Sequence, residues 1–277
     1  MVDTLSQKIL LVIGLVVLAG AFRSFGLGML RKLALLLIFG ASYVAAFFVF
    51  RHHLAGVTAI LAWFFLPWIE LLTRIRKIRL PLEKKLESVA PPGPQRFPTL
   101  HELTEEVEAA GFEHANDAGW EWDGLEQFFR IFYHEEKRQL VTLCLNEQNE
   151  MGFVHVAITC RDAAGGIWRT WDYPFSHSLA QSPNLKLNQI DPGLTFQEMW
   201  ERHESFLEDQ AILGTEELQQ EDPEMVTHVI EQEVAGQIDH NLSRGIIRVS
   251  DQGTFCYSFR GLLFLWAQSI KDMLKLF

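Results

Sequence analysis

Cysteine is scarce in this chain, with 3 among 277 residues. Cys144, Cys160 and Cys256 stand far apart and do not have the short spacing of a metal-binding or redox pair. Each lies in an apolar, strand-like segment, which is typical of a small buried side chain. The sequence therefore predicts three buried free thiols, as in a cytoplasmic domain, and no thiol chemistry.

Recognisable catalytic motifs are also missing. The chain has no phosphate-binding loop, dinucleotide fingerprint, nucleophile elbow or kinase signature. Of its eight histidines after residue 98, no two are three or four positions apart, the spacing that places two metal ligands on one helix face. We therefore expect no cofactor and no metal site within one helix, although a site assembled from distant residues stays open.

Basic residues are few after residue 80. Residues 1–80 carry nine Lys and Arg against two acidic residues, a net charge of +7, whereas residues 81–277 carry 15 against 33, a net charge of −18. Such an acidic domain repels phosphate backbones and anionic lipids, so nucleic acid is not an expected partner. A solvated surface explains the acidity most simply, and a face for a basic protein is the alternative.

Long apolar runs dominate residues 1–80, at about residues 5–25, 33–50 and 54–72. A helix of about 20 apolar residues crosses the roughly 30 Å core of a bilayer. The last two runs contain one charge, Glu70, which lies at an end. None of the three has an ionisable residue in its middle, where transporters and pumps usually place one. The sequence therefore predicts a three-helix transmembrane region that anchors the chain and makes helix contacts.

The basic residues indicate how this region is oriented. The first loop is basic, and so is the membrane-interface segment after the third run, which contains Arg74, Arg76, Lys77 and Arg79. The positive-inside rule puts both on the cytoplasmic side of a bacterial inner membrane, with the N-terminus outside. We expect the four interface residues to attract anionic headgroups by about 1 kcal/mol each. The alternative is a cleaved signal peptide, because Lys8 precedes the first run and small residues follow it.

Proline marks the passage to a soluble domain. Residues 81–98 contain Pro91-Pro92-Gly93-Pro94 and are predicted to form a semi-rigid linker. Residues 99–210 have the pattern of an α+β domain, in which capping boxes beginning at Thr99 and Thr195 predict two helices that cover a sheet. Four segments rich in β-branched and aromatic residues lie between them, at 127–134, 139–146, 153–161 and 167–173. Their short connections predict a four-stranded antiparallel meander.

Residues 211–277 have the pattern of a helix, a hairpin and a closing helix. An apolar stripe after Asp222 predicts the first helix, and the turn Asp251-Gln252-Gly253 predicts the hairpin. Gly245-Ile246-Ile247 before the hairpin and Phe259-Arg260-Gly261 after it resemble the end of a winged-helix module. The first helix is acidic, so a winged helix here would imply a protein contact. We expect the closing helix to pack on these elements or, alternatively, to lie in the headgroup region.

A second resemblance covers more of the chain. Ala110-Gly111-Phe112, the run Thr170 to Pro174, and Trp200-Glu201-Arg202-His203 followed by Phe206-Leu207 carry it. Together they are similar to a loose pattern in uncharacterised bacterial membrane-anchored proteins. The resemblance implies a class of protein and no activity.

His203, His155 and Asp172 are the candidate catalytic residues. His203 lies on the apolar stripe of a helix and His155 alternates with apolar residues on a strand, so a hydrogen-bonded core position is the favoured interpretation of both. Trp120 and Trp122 alternate with acidic residues, a pattern that suits a cationic ligand, although aromatic residues on a sheet usually belong to the core. We therefore predict a membrane-anchored protein-interaction or scaffold module. The alternatives are a membrane-surface enzyme with a dispersed active site and a small-ligand sensor.

Overall fold

The computed structural model describes residues 2–25, 28–148, 151–212, 214, 217–250 and 253–276. Its helices are α1 (Val2–Ser24), α2 (Gly28–Phe50), α3 (His53–Thr73), α4 (Leu100–Ala109), α5 (Phe196–Asp209), α6 (Val226–Ser243) and α7 (Phe259–Leu276). Its strands are β1 (Leu80–Pro81), β2 (Glu87–Ser88), β3 (Glu113–Trp122), β4 (Leu125–His134), β5 (Gln139–Gln148), β6 (Met151–Arg161), β7 (Ile167–Trp171), β8 (Leu185–Gln189), β9 (Ile247–Val249) and β10 (Thr254–Tyr257). The predicted α+β class is confirmed.

Two compact units make up the chain. One contains residues 1–78 together with 257–277, and the other contains residues 79–256. The finer domain boundaries expected near residues 81, 99 and 211 stay a prediction.

The three N-terminal helices are long and apolar enough to cross a membrane, as predicted. His52 caps α3, because its Nδ1 accepts a hydrogen bond from the backbone N–H of Leu54 at 3.1 Å. The indole of Trp63 on α3 donates to the hydroxyl of Ser42 on α2, also at 3.1 Å. Hydrogen bonds of this kind connect apolar helices for which water is not a competing partner.

A seven-stranded sheet forms the centre of the second unit, in the order β2-β3-β4-β5-β6-β7-β8. Neighbouring strands are antiparallel, except that β7 and β8 are parallel. The four predicted strands are β4 to β7, in the predicted arrangement, but the predicted count of four is wrong. β3 was missed because residues such as Asp117 and Gly119 disfavour strands by propensity, β2 has only two residues, and β8 follows Pro183 in a stretch predicted as a loop.

Helices cover both faces of this sheet. On one face, Val107 of α4 and Met199 of α5 pack with Phe132 of β4 in the larger core. On the other face, Val226 of α6 packs with Ile131 of β4 in a second core. Because successive strand residues point to opposite faces, each central strand supplies both cores.

The two predicted capping boxes have different outcomes. At the start of α5, the Thr195 side chain accepts from the N–H of Glu198, whose carboxylate accepts from the N–H of Thr195 at 2.9 Å. At the start of α4, Thr99 makes no side-chain cap hydrogen bond, so the predicted box is wrong there. The physical reason is that Thr99 has φ −87° and ψ 0°, whereas a capping residue needs an extended backbone.

The predicted linker and C-terminal segment are more structured than expected. Residues 81–98 include part of β1, all of β2 and the side chain of Phe97, which is 1 % exposed. β1 pairs with β10 in a three-stranded sheet with β9. The predicted order of helix, hairpin and helix is present, although residues 251 and 252 of the predicted turn lie outside the described residues. The closing helix α7 belongs to the same compact unit as α1 to α3, not to the elements on which we expected it to pack.

Candidate functional site

A cavity of about 360 Å³ lies between α6 and the second face of the sheet. We call it the sheet cavity. Its walls come from the segment before β2, from strands β4 to β7, from the loop after β7 and from α6. The side chains that matter chemically are Lys84, Gln127, Asn146, His155, Arg169, Trp171, His177 and Glu233.

The alternation of β5 and β6 explains why this cavity is polar. Thr142, Cys144 and Asn146 point from β5 to the second face, and His155 and Thr159 point to it from β6. The opposite face of the same strands is apolar, with residues such as Leu143, Val156 and Ile158. A strand that places apolar residues on one face and polar residues beneath a helix on the other leaves a polar space that the helix does not fill.

A chain of hydrogen bonds crosses the cavity floor. Lys84 Nζ donates to Gln127, and the Gln127 amide donates to the Asn146 carbonyl. Asn146 Nδ2 lies 3.1 Å from His155 Nδ1, so the chain ends at a histidine. Burial lowers the pKa of His155 to about 4, with a smaller contribution from Arg169. His155 is therefore neutral near pH 7.

Lys84 is the unusual group of this network. Its ammonium lies over the rings of Trp120 and Phe129, with Nζ at 4.6 and 4.9 Å from the ring centroids. Burial lowers the pKa of this amine to about 8. Among the ion pairs of the described residues, Lys84 is paired with no carboxylate. The protein thus places a partly buried cation beside an amide, two aromatic rings and the thiol of Cys144.

The opposite wall is aromatic. Trp171 stacks on His177 with ring centroids 5.1 Å apart, and on Tyr173 at 5.0 Å. His155 meets the Trp171 ring edge-on at 6.1 Å. Trp171 Nε1 is a buried donor without a hydrogen-bond partner among the described residues. An unpaired buried N–H is costly.

Charge on the α6 side is already balanced, because two carboxylates face two guanidinium groups and Glu221 pairs with Arg161 at 3.4 Å. Glu233 of α6 pairs with Arg161 at 2.7 Å and with Arg169 at 2.7 Å. Burial alone would raise the pKa of Glu233, but the two guanidinium groups outweigh it and lower the pKa to about 2. This cluster connects α6 to β6 and β7, and it leaves Lys84 as the cation of the cavity that has no ionic partner among the described residues.

The sequence-predicted candidates do not come together. His155 lines the sheet cavity, but His203 and Asp172 point to the opposite face of the sheet. His203 belongs to α5 and is fully buried between this helix and the sheet. Its Nδ1 lies 2.9 Å from the Thr170 hydroxyl, and its Nε2 lies 3.8 Å from Cys160 Sγ. Asp172 accepts a hydrogen bond from the N–H of Val156 at 2.7 Å, and burial raises its pKa. Both side chains therefore make contacts within the fold, away from the sheet cavity.

Sequence reasoning missed the rest of the site. Asn146 carries a weak signal, because an amide stands there in an otherwise apolar strand. Lys84 carries none, because it lies in the segment predicted as a linker. Strand alternation places Trp171 on the cavity face and Asp172, its neighbour in the sequence, on the opposite face.

Thiol and metal chemistry find no support in the geometry. Cys144 lines the cavity, but burial raises its pKa to about 12, so the thiol stays protonated. The three cysteines are free and buried, as predicted. Within the described residues, no group of three His, Cys, Asp or Glu side chains is arranged to hold a metal ion.

The membrane-interface residues lie at the end of the first unit. Arg74 follows α3 and pairs with Glu70 at 3.4 Å, with side chains 72 % and 62 % exposed. Arg76 and Lys77 belong to a single 3₁₀ turn, Ile75–Lys77. Arg79 begins the second unit, where its carbonyl accepts a hydrogen bond from Trp122 Nε1 at 2.8 Å.

No family model, curated protein or solved structure matches this chain. Its function is therefore argued from geometry.

Proposed function

We propose that residues 79–256 form a small-ligand sensing module, which three spans anchor to the membrane and which binds an aromatic carboxylate in the sheet cavity. Lys84 is the observation that carries the proposal. A buried cation without a carboxylate partner is unfavourable. A bound carboxylate would supply the missing counter-charge, and its pairing with Lys84 would raise the pKa of the amine again.

The rest of the cavity favours a ring attached to that carboxylate. Trp171, Tyr173 and His177 offer stacking and edge contacts, which stabilise aromatic ligands beyond simple burial. A volume of about 360 Å³ lies within the roughly 300–1,000 Å³ typical of small-molecule sites.

Thermal unfolding of the full-length protein in detergent tests this proposal, with benzoate and naphthoate as probes and benzylamine as the cationic control. The carboxylates should raise the melting temperature, since a ligand at 100 times its Kd stabilises by about 2.7 kcal/mol. Lys84→Met should abolish the shift. Because it also removes the hydrogen bond from Lys84 to Gln127, each shift is measured against the melting temperature of the same variant without ligand. The matched control is Lys85→Met, at the exposed neighbouring position.

Two results would contradict this ligand class. One is an unchanged carboxylate shift in the Lys84→Met variant. The other is stabilisation by benzylamine and not by either carboxylate. A catalytic role for His203, His155 and Asp172 is not proposed, because only His155 reaches the cavity.

A protein-interaction role is the second candidate, and an acidic groove favours it. This groove, of about 550 Å³, is lined by Glu83, Glu87 and Glu121 together with Trp120 and Trp122. A basic segment of a partner protein has the complementary charge. If the helix and hairpin of residues 226–257 act as a winged-helix-like element, we infer a protein contact for them as well. Crosslinking in native membranes should recover a stoichiometric basic partner that is lost when residues 79–256 are deleted.

The proposed setting is a bacterial inner membrane with the module on the cytoplasmic side. The basic segment from Arg74 to Arg79 supports this orientation, because positively charged residues next to a span are retained on that side. In this setting the same residues contact anionic headgroups, and the acidic module itself is repelled by them.

A further inference from the structure

The C-terminal helix α7 contacts α3, one of the three helices that are apolar enough to cross a membrane. The indole Nε1 of Trp266 donates a hydrogen bond to the backbone carbonyl of Phe64 on α3 at 2.7 Å. The ring of Trp68 on α3 stacks against Phe259 and Trp266, with centroids 6.3 Å apart in each pair. Two turns of α7 are therefore fixed to one turn of α3.

The carbonyl of Phe64 has two lone pairs, so it can accept the indole N–H in addition to a donor of its own helix. Pro67, which has no N–H, lies three residues further along α3. The bond therefore joins a side chain of α7 to the backbone of α3.

The position of the Trp266–Phe64 contact along α3 indicates how deep in the bilayer the contact lies. Phe64 is the twelfth of the 21 residues of α3, which places it about 14 Å along the helix axis from Thr73 at a rise of roughly 1.5 Å per residue. A helix that crosses the bilayer has its middle in the hydrocarbon core. The side chain of Trp266 therefore reaches the apolar layer and does not stop at the headgroups.

The remaining surface of α7 suits the same environment. Leu262 is buried, whereas Phe259, Leu263 and Leu274 are 69 %, 42 % and 43 % exposed. Exposed apolar side chains on a helix that packs against a membrane span have lipid as their natural neighbour. The charges of α7 include Arg260 and Lys271, whose side chains are long enough to carry a charge to headgroups from an apolar depth. These charges also make α7 too polar to be a further complete span, and it is not among the helices apolar enough to cross.

We propose that α7 is inserted into the membrane from the side that carries residues 79–256, with Leu263 and Leu274 in contact with lipid acyl chains. The second unit is then tethered to the membrane at both of its ends, residues 79 and 256. The inference does not depend on the ligand proposed for the sheet cavity.

Fluorescence quenching in the full-length protein, reconstituted in phosphatidylcholine vesicles, tests this placement. Single cysteines at Leu263 and Leu274 are labelled with an environment-sensitive maleimide dye, and Val249→Cys serves as the control, because Val249 is 60 % exposed on β9. The native thiols are buried and react slowly. We expect doxyl-labelled lipid to quench the dyes on α7 several-fold more strongly than aqueous iodide does, and the reverse at residue 249.

Two outcomes would overturn the proposal. If iodide quenches the Leu263 and Leu274 dyes as well as it quenches the dye at residue 249, α7 lies in water. If neither quencher reaches them, a protein surface, such as a second copy of the chain, covers this face. Leu263 and Leu274 lie one above the other on α7. If the dyes at both positions respond alike, neither response is due to local disruption by its substitution.

Discussion

Burial makes His203 a determinant of stability at acidic pH. The side chain is 0 % exposed, and burial lowers its pKa from 6.5 to about 4. Below pH 6.5 the unfolded chain takes up a proton that the folded chain refuses until about pH 4. The folded state is therefore disfavoured as the pH falls through this window, and the histidine has no such effect above it.

We expect His203→Gln to make this pH dependence shallower without removing it, because burial also lowers the pKa of His155 to about 4. Through His203, the unfolding free energy of the parent protein should fall by up to about 3 kcal/mol between pH 6.5 and 4, since one pKa unit corresponds to roughly 1.36 kcal/mol. The measurement is the melting temperature in detergent at half-unit pH steps. Glutamine keeps polar atoms near Thr170 but does not titrate.

His101→Gln is the control for this experiment, because the His101 side chain is 83 % exposed. It should leave the pH profile of the parent unchanged. An equally steep profile in the His203→Gln variant would show that His203 is not the group responsible. Below about pH 4.5 the loss should continue in every variant, because protonation of Glu233 removes the charge that its pairing with Arg161 and Arg169 stabilises.

At the scale of elements, α2 and α3 pack through Gly56. A Cβ atom placed on Gly56 would lie 2.5 Å from the Tyr43 ring. The ring occupies the space that the missing side chain leaves, and its hydroxyl lies 2.7 Å from His53 Nδ1. Small residues permit this kind of close approach between helices in a membrane.

Gly56→Ala should therefore loosen the α2–α3 pair and destabilise the protein by about 1–3 kcal/mol, the usual cost of overpacking. Gly40→Ala is the matched control, because nothing lies within 4 Å of its added Cβ. Resistance to unfolding in mild detergent measures both variants. Equal stability of Gly56→Ala and the parent would mean that Tyr43 moves aside without cost.

Some elements of the fold could be predicted from the sequence and others could not. Strands β4 to β7 were predictable because their β-branched and aromatic residues are dense and their turns short. β3 was missed although Asp123-Gly124 follows it, a dipeptide typical of tight hairpins, and both residues indeed have positive φ, 50° and 75°. An added Cβ would meet nothing within 4 Å at Gly14, Gly20 or Gly40. Only the partner side chain, Tyr43, identifies Gly56 as the close contact.

The candidate site was less accessible from sequence than the fold. His155 was recognised, because a histidine stands out in an apolar strand. Lys84 reaches the same cavity from a distant segment, and its importance comes from burial and from the missing carboxylate, which no local pattern encodes. The separation of His155 from His203 and Asp172 likewise depends on which face of the sheet each residue occupies.

At the scale of the whole molecule, the orientation in the membrane is the remaining prediction, and the basic residues of the first loop and of Arg74 to Arg79 argue for it. Asp3→Cys, which precedes the first candidate span, reports on the N-terminus, and Val249→Cys reports on the second unit. With three spans, an impermeant maleimide should label residue 3 in intact cells, and residue 249 only after lysis. If the first run were a cleaved signal peptide, residue 3 would leave with it, the mature protein would be shorter by the length of that run, and residue 249 would be labelled in intact cells. If residue 249 is labelled in intact cells while the first run is retained, the topology is the reverse of the predicted one. The positive charges after α3 would then lie outside, against the only electrostatic argument that this chain offers.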